Sequence, residues 1–182
     1  TVQSHVRVCV AARTTVADQP ASHETVVEDG QVAQLLTLEL CDGVPVVVEK
    51  VAAFATSRDP AIASAAEAAT IRTTRAPAFS ELLVKHEQAW RHRWARFAVD
   101  VDADTSTRLA VNLSTFHLLQ TLSRHTVGVD AGVPARGLHG EGYRGHVFWD
   151  ELFVFPVLTL RTPELTRALL GYRWRRLDEA RA

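Results

Sequence analysis

At 182 residues the chain is long enough for one domain or one and a half, with a real core. Hydrophobic residues at 47% and charged residues at 23% are ordinary for a globular protein, and a net charge of −1 argues against a generic binder of nucleic acid or other polyanions. There is no signal-peptide pattern and no apolar run approaching about 18 residues, so neither secretion nor a membrane span is indicated, and a cytoplasmic location is expected.

The chain has no methionine and opens on Thr1-Val2 in what reads as mid-strand, which is the look of an internal piece of a longer protein. Residues 1–57 read as strands. His5-Val6-Arg7-Val8-Cys9-Val10 alternates polar and apolar, as a half-buried strand does. Glu24 to Glu28 is short and β-branched, and Glu28-Asp29-Gly30-Gln31 is a turn signal before Val32 to Leu40. Asp42-Gly43 is a second turn signal, and Val44 to Thr56 is a long strand with Pro45 near its entry. Hairpins of this kind build an antiparallel sandwich. Cys9 and Cys41 lie on strand-like segments far apart, and buried reduced thiols are expected rather than a disulfide.

Asp59-Pro60 is a capping side chain followed by proline, and predicts a helix start before the alanine-rich run Ala61 to Ala69. Pro77 breaks the pattern. A second helix is predicted over 79–97, where Phe79, Leu83, His86, Trp90, Trp94 and Phe97 recur at spacings of three and four. That aromatic stripe reads as packing surface before it reads as a sugar platform. Arg91, Arg93 and Arg96 then fall on a solvated face. Asp100, Asp102 and Asp104 lack the further ligand positions of a calcium loop, so Asp104 or Thr105 is expected to cap a third helix running to about Arg124. Its buried stripe would be Leu109, Leu113, Phe116, Leu119 and Leu122.

The densest chemistry lies in Gly137-Leu138-His139-Gly140-Glu141-Gly142-Tyr143-Arg144-Gly145-His146-Val147-Phe148-Trp149-Asp150-Glu151-Leu152-Phe153. Glycines at 137, 140, 142 and 145 permit sharp turns and positive φ. Polar and aromatic groups on a loop that feeds a buried helix suggest a site. Gly140-Glu141-Gly142-Tyr143-Arg144-Gly145 spells a dinucleotide fingerprint, but Val133 to Gly137 is not a convincing strand before it, and no acid follows at the required distance. His139, Glu141, His146 and Asp150 match no compact metal motif, and the histidines are expected to hold loop shape. Trp149 offers a flat apolar face suited to a pyranose, and Asp150 can accept hydroxyl hydrogen bonds with charge-assisted strength. By themselves these residues fit a buried tryptophan and a helix-capping aspartate somewhat better than a sugar site. Beyond them, a helix over the apolar run carries Pro156, which implies a kink or early end. Thr162-Pro163-Glu164-Leu165 starts a further helix with Leu165, Leu169, Tyr172 and Leu177 inward, while Arg167, Arg173, Arg175 and Arg176 read as solvated.

Ala135 to Leu138, Gly140 to His146 and Phe148 to Asp150 together resemble glycoside hydrolase family 65, the maltose, trehalose and kojibiose phosphorylases and their hydrolase relatives. The resemblance implies an α+β chain in three parts: the end of an N-terminal antiparallel β-sandwich at 1–57, a helical linker at 58–104, and the first helices of an incomplete (α/α)6 catalytic barrel at 105–182. It implies that Trp149 and Asp150 line the pocket for the non-reducing glucose, with Tyr143 and Arg144 as loop or pocket wall. Many members read Phe-Trp-Asp-Thr-Glu-Ile-Phe where this chain reads Phe148-Trp149-Asp150-Glu151-Leu152-Phe153, one residue shorter, so no role carries over to Glu151.

The implied reaction is inverting phosphorolysis of an α-linked glucose disaccharide, giving β-glucose 1-phosphate and glucose. Inversion needs an acid for the leaving oxygen, and inorganic phosphate, as co-substrate, replaces activated water. The resemblance puts the general acid and the phosphate loop beyond residue 182, so no catalytic residue is expected in this chain and the piece alone is expected to be inactive. No organic cofactor or metal is implied, and the parent is expected to be a homo-oligomer. A trehalase-like hydrolase and a non-catalytic carbohydrate-binding relic are the alternatives.

Overall fold

The computed structural model describes residues 5–17, 21–137, 142–143 and 146–182. The chain divides into two compact units, Thr1–Val84 and Lys85–Ala182.

The first unit holds strands β1 (Val8–Val16), β2 (Ser22–Glu28), β3 (Gln31–Thr37) and β4 (Val48–Thr56), and helix α1 (Ala65–Thr74). They form two antiparallel pairs, β1 with β4 and β2 with β3. The β2–β3 hairpin turns at Asp29-Gly30 with Gly30 at φ 78, a backbone region open to glycine, and pairs Glu28 with Gln31. The long strand expected over 44–56 begins only at Val48. Before it, the Asp42-Gly43 turn closes through the Val44 N–H on the Cys41 carbonyl at 3.2 Å, and Pro45 has no N–H to offer a ladder. The first strand likewise lies later than the alternation at 5–10 indicates, because its partner β4 reaches only to Thr56, opposite Val8.

Helix α1 starts at Ser64, not Asp59. The Ser64 hydroxyl accepts from the Glu67 N–H at 3.3 Å, and Ala61 sits at φ 60, outside any helix. Asp59 is instead tied to Arg72 at 2.9 Å and accepts from the Thr56 hydroxyl at 2.7 Å. Those two bonds hold its carboxyl below the usual range, Thr56 contributing most. The face that α1 buries is made of small residues: Ala65, Ala69 and Ala55, with Cys9, Ala11, Ile62 and Ala68 against them. Small side chains let helix and sheet come close enough for direct polar ties. The Thr73 hydroxyl donates to the Ala11 carbonyl at 3.0 Å, and the Arg13 guanidinium reaches the Thr74 and Ala76 carbonyls at 3.4 and 3.2 Å, where a helix end leaves acceptors free. Cys9 is half-buried and Cys41 exposed, so the expectation of two buried thiols fails; both are free.

Helix α2 (Phe79–Phe97) has the limits its periodicity predicts, and the Glu49 carboxylate accepts from its first N–H at 2.8 Å. In the second unit, the last turns of α2 pack with α3 (Thr105–Thr121), α4 (Glu151–Arg161) and α5 (Pro163–Trp174), followed by short α6 (Leu177–Arg181). The core is Phe97, Leu119, Leu122, Val133, Phe155, Leu158, Leu165 and Leu169, with Trp90, Trp94, Leu118 and Val154 against it. The aromatic stripe is therefore packing surface at its C-terminal end, where the rings of Trp90 and Phe116 lie 5.0 Å apart, while Phe79 is exposed.

Asp104 caps α3, accepting from the Ser106 and Thr107 N–H groups at 2.8 and 3.0 Å, and these bonds with the two hydroxyls keep its carboxyl ionised well below its ordinary value, Ser106 contributing most. The other end of α3 is closed by Arg93, which donates to the Leu119 and Leu122 carbonyls at 3.1 and 3.0 Å. Arg93 is thus a helix-end cap and not part of a solvated face. The buried stripe of α3 is shorter than its leucine spacing indicates, since Leu109 and Leu113 are exposed. Helix α4 continues through Pro156 to Arg161; the carbonyl that proline leaves unbonded is that of Leu152, an exposed residue open to water. Thr162 stands before Pro163 as expected, but its hydroxyl bonds back to the Leu158 carbonyl at 3.3 Å rather than capping α5.

Candidate functional site

The site is assembled where the chain leaves α3 and re-enters at α4. Residues 131–137 and 146–148 run past each other, with an antiparallel bridge between Pro134 and Val147 and the Ala135 N–H on the His146 carbonyl at 3.0 Å. Close approach, rather than turning, is what two glycines here supply. A Cβ on Gly132 would come within 2.5 Å of a Val147 methyl, and one on Gly142 within 2.7 Å of the Arg136 stem. The left-handed backbone falls instead on Tyr143, at φ 58, whose carbonyl accepts from the His146 N–H at 2.8 Å and from the His146 ring Nδ1. A non-glycine residue held there is a strained position of the kind that gathers at functional sites. His146 therefore shapes the loop. Leu138, His139, Gly140, Glu141, Arg144 and Gly145 lie outside the described residues.

Trp149 is 57% exposed and meets the Phe153 ring edge-on, with centroids 5.4 Å apart. Tyr143, also exposed, stacks on Phe148 at 6.1 Å and 17°. Asp150 has helical backbone, and its side chain caps nothing. The reading of this pair as a buried tryptophan and a capping aspartate is therefore overturned: the indole is more than half exposed, and the carboxylate is free of the helix end. Asp150 lines a small open cavity of about 170 Å³ with His117, Leu118, Thr121, Pro134 and Arg136 among its walls. That volume is below the roughly 300–1,000 Å³ of complete ligand pockets. The cavity's polar side chains are the Asp150 carboxylate, the Arg136 guanidinium, the His117 imidazole and the Thr121 hydroxyl.

Glu151 is the surprise of the segment. It is 1% exposed, one Oε accepts from the Val133 N–H at 3.2 Å, and the other accepts from Arg173 Nε. The same guanidinium donates through Nη2 to the Phe148 carbonyl at 2.7 Å. A carboxylate committed to a backbone N–H and an arginine is not placed to protonate a leaving group. Arg173 lies 22 residues further along the chain, so helical spacing gave no sign of the pairing and the residue reads from sequence as solvated. Arg175 and Arg176 are likewise engaged, both with Asp130, at 2.7 and 2.9 Å, and Arg176 also lies 3.8 Å over the Tyr172 ring. The Asp130 carboxyl is held well below its ordinary value, first by Arg176 and then by Arg175.

A larger cavity of about 370 Å³ in this unit is lined by Phe97, Leu119, Leu122 and Leu165 together with His92, Arg96 and Arg124, and by no described residue of the glycine-rich segment. Among the described residues no group of three His, Cys, Asp or Glu side chains could hold a metal, and no helix is long and apolar enough to cross a membrane. Two of the metal candidates, His139 and Glu141, lie outside those residues.

The second unit carries an aromatic and acidic loop on a helical core, and sequence comparison gives the family. Residues 1–93 match the glycosyl hydrolase family 65 N-terminal domain, and residues 112–182 match the family 65 central catalytic domain. The chain belongs to glycosyl hydrolase family 65. It is 45% identical over 185 aligned positions to an uncharacterized glycosyl hydrolase of Mycobacterium tuberculosis, covering 100% of this chain and 14% of that protein. A kojibiose phosphorylase of Halothermothrix orenii is 38% identical over 104 residues, 57% of this chain and 13% of that protein. An alpha,alpha-trehalose phosphorylase of Thermoanaerobacter brockii is 28% identical over 179 residues, 96% of this chain and 22% of that protein. The chain thus spans less than a quarter of the length of these relatives.

Proposed function

We propose that this chain is part of an inverting α-glucoside phosphorylase, and that Trp149 and Asp150 form one wall of the subsite for the non-reducing glucose. The observation that carries this reading is the state of the pair: a largely exposed indole beside a carboxylate that caps nothing and lines a cavity. A pyranose presents C–H groups to an aromatic face and hydroxyls to a carboxylate, so the two chemistries are complementary to one sugar ring. Arg136 lines the same cavity, and Tyr143 is assigned to the pocket wall with it. The relatives named as kojibiose and trehalose phosphorylases favour phosphate over water as the acceptor. In the reaction a phosphate oxygen forms a bond to the anomeric carbon as the glycosidic C–O bond breaks, and an acid elsewhere in the protein protonates the departing oxygen. Glu151 is not that acid, since both its oxygens are occupied.

The (α/α)6 barrel belongs to the same proposal. Helix α4 buries Phe155 and Leu158 yet leaves Leu152, Phe153, Val157 and Leu160 exposed. A helix that is apolar all round is one enclosed by other helices in its mature setting. Inorganic phosphate is the only co-substrate required, a cytoplasmic homo-oligomer is the expected form, and the disaccharide linkage is set by acceptor-side loops.

The test is to incubate the full-length protein with maltose, trehalose and kojibiose, with and without phosphate, and to assay glucose 1-phosphate and glucose. Phosphate-dependent glucose 1-phosphate from one sugar is the expected result. Glucose released without phosphate would make it a hydrolase. Asp150→Ala is expected to lower kcat/KM about 100-fold, the scale of losing charge-assisted hydrogen bonds to a sugar. An Asp150→Ala enzyme of wild-type efficiency would remove this pair from the site.

A further inference from the structure

From its contacts we infer that Arg173 is a positioning residue for the sugar-binding pair, acting as a clamp across the residues that flank Trp149 and Asp150; this rests on the reading of that pair as a glucose subsite. One planar guanidinium makes two bonds at fixed geometry. Nε reaches the Glu151 carboxylate, just after the pair, and Nη2 reaches the Phe148 carbonyl, just before it, at 2.7 Å. The second Glu151 oxygen accepts from the Val133 N–H at 3.2 Å, and so ties the pair to a chain segment that lines the same cavity as Asp150. Gly132 makes room for this tie, since a Cβ there would stand 3.2 Å from the same Glu151 oxygen and 2.5 Å from Val147.

Apart from the edge-on contact of Trp149 with Phe153, the side chains of the pair are loosely held. Trp149 is 57% exposed, and the Asp150 side chain makes no capping bond. Their backbone carbonyls accept from the Leu152 and Phe153 N–H groups at 3.0 and 3.1 Å, the opening turn of α4. Opening that turn swings both side chains, and Arg173 is the group that spans it from outside. Because the aspartate and the indole must meet one ring together, a small misplacement is felt as weaker substrate binding.

Lysine separates this role from simple charge neutralisation. An ammonium at 173 can still pair with Glu151, but it is a point charge that cannot reach both acceptors in the arginine's fork geometry. In the full-length protein, Arg173→Lys is expected to keep cooperative unfolding, raise amide exchange at Leu152 and Phe153 about 10-fold with α3 unchanged, and raise KM for the disaccharide about 10-fold with kcat nearly unchanged. A second variant, Glu151→Gln with Arg173→Met, removes both charges together, keeps an acceptor for the Val133 N–H, and is expected to show the same exchange and KM changes. A lower Tm with unchanged exchange at 152–153 and unchanged KM in both variants would overturn the clamp and leave Arg173 as a structural ion-pair partner. Should the wild-type protein neither turn over nor bind any of the disaccharides, the subsite reading fails by itself, and the exchange measurement still decides whether Arg173 holds this turn.

Discussion

The two units of this chain solve the same packing problem with opposite materials. The first joins α1 to β1 and β4 through alanines, and supplements that thin contact with side chains bonded to backbone, Thr73 to Ala11 and Arg13 to the end of α1. The second uses Phe97, Leu119, Leu158 and Leu169, and also buries one carboxylate, Glu151. Small residues permit close approach and tolerate no added volume; large ones contribute more burial and tolerate no loss. A buried acid needs its oxygens bonded, and in the second unit the Val133 N–H and Arg173 do this beside the proposed sugar-binding pair.

The largest effect should come from removing volume in the second unit. Leu158 is 0% exposed, and Leu158→Ala is expected to cost about 3 kcal/mol, within the range for emptied leucine sites. Chemical denaturation followed by amide exchange would show the loss in α4 and α5 and spare α1. Adding volume should break the first unit instead. Ala69, at 1% exposed, faces the sheet directly, and Ala69→Leu is expected to cost about 2 kcal/mol by forcing helix and strands apart, with raised exchange in β1 and β4. If Ala69→Leu were neutral, the contrast between the units would collapse.

The smallest effect is electrostatic. Asp130 is held ionised by Arg176 and Arg175, so its folded pKa lies below the unfolded value. The stability this contributes is present above the ordinary carboxylate range and is lost as pH falls through the folded pKa. Asp130→Asn is therefore expected to destabilise by about 1 kcal/mol at pH 7, the upper scale for partly exposed pairs. The difference from wild type should shrink once pH drops below the ordinary carboxylate range. Urea midpoints at neutral and strongly acid pH give the comparison, and a constant difference would sink the assignment.

Much of this was legible beforehand, for identifiable reasons. The limits of α2 and the Asp104 cap are local matters of spacing and side-chain reach, and both stand as read. The β2–β3 hairpin follows from a turn signal between two β-branched runs. The start of α1 was misplaced although Ser64 and Glu67 stand at capping-box spacing, because Asp59-Pro60 is the louder of two signals for the same event. Arginines were the systematic failure. Arg93, Arg173, Arg175 and Arg176 read as solvated, yet each reaches a carbonyl or carboxylate far along the chain, and nothing in local spacing records such a partner.

The residues of the glycine-rich segment by themselves pointed to the family and to Trp149 and Asp150, because a long run of distinctive residue types is a pattern in the sequence alone. Only tertiary structure decided that Asp150 leaves the helix end uncapped while its neighbour Glu151 is buried and spoken for. Both are carboxylates one residue apart, and a step of one along a helix turns a side chain by about 100°. Which of the two meets the core and which the cavity depends on where α5 and its arginine lie.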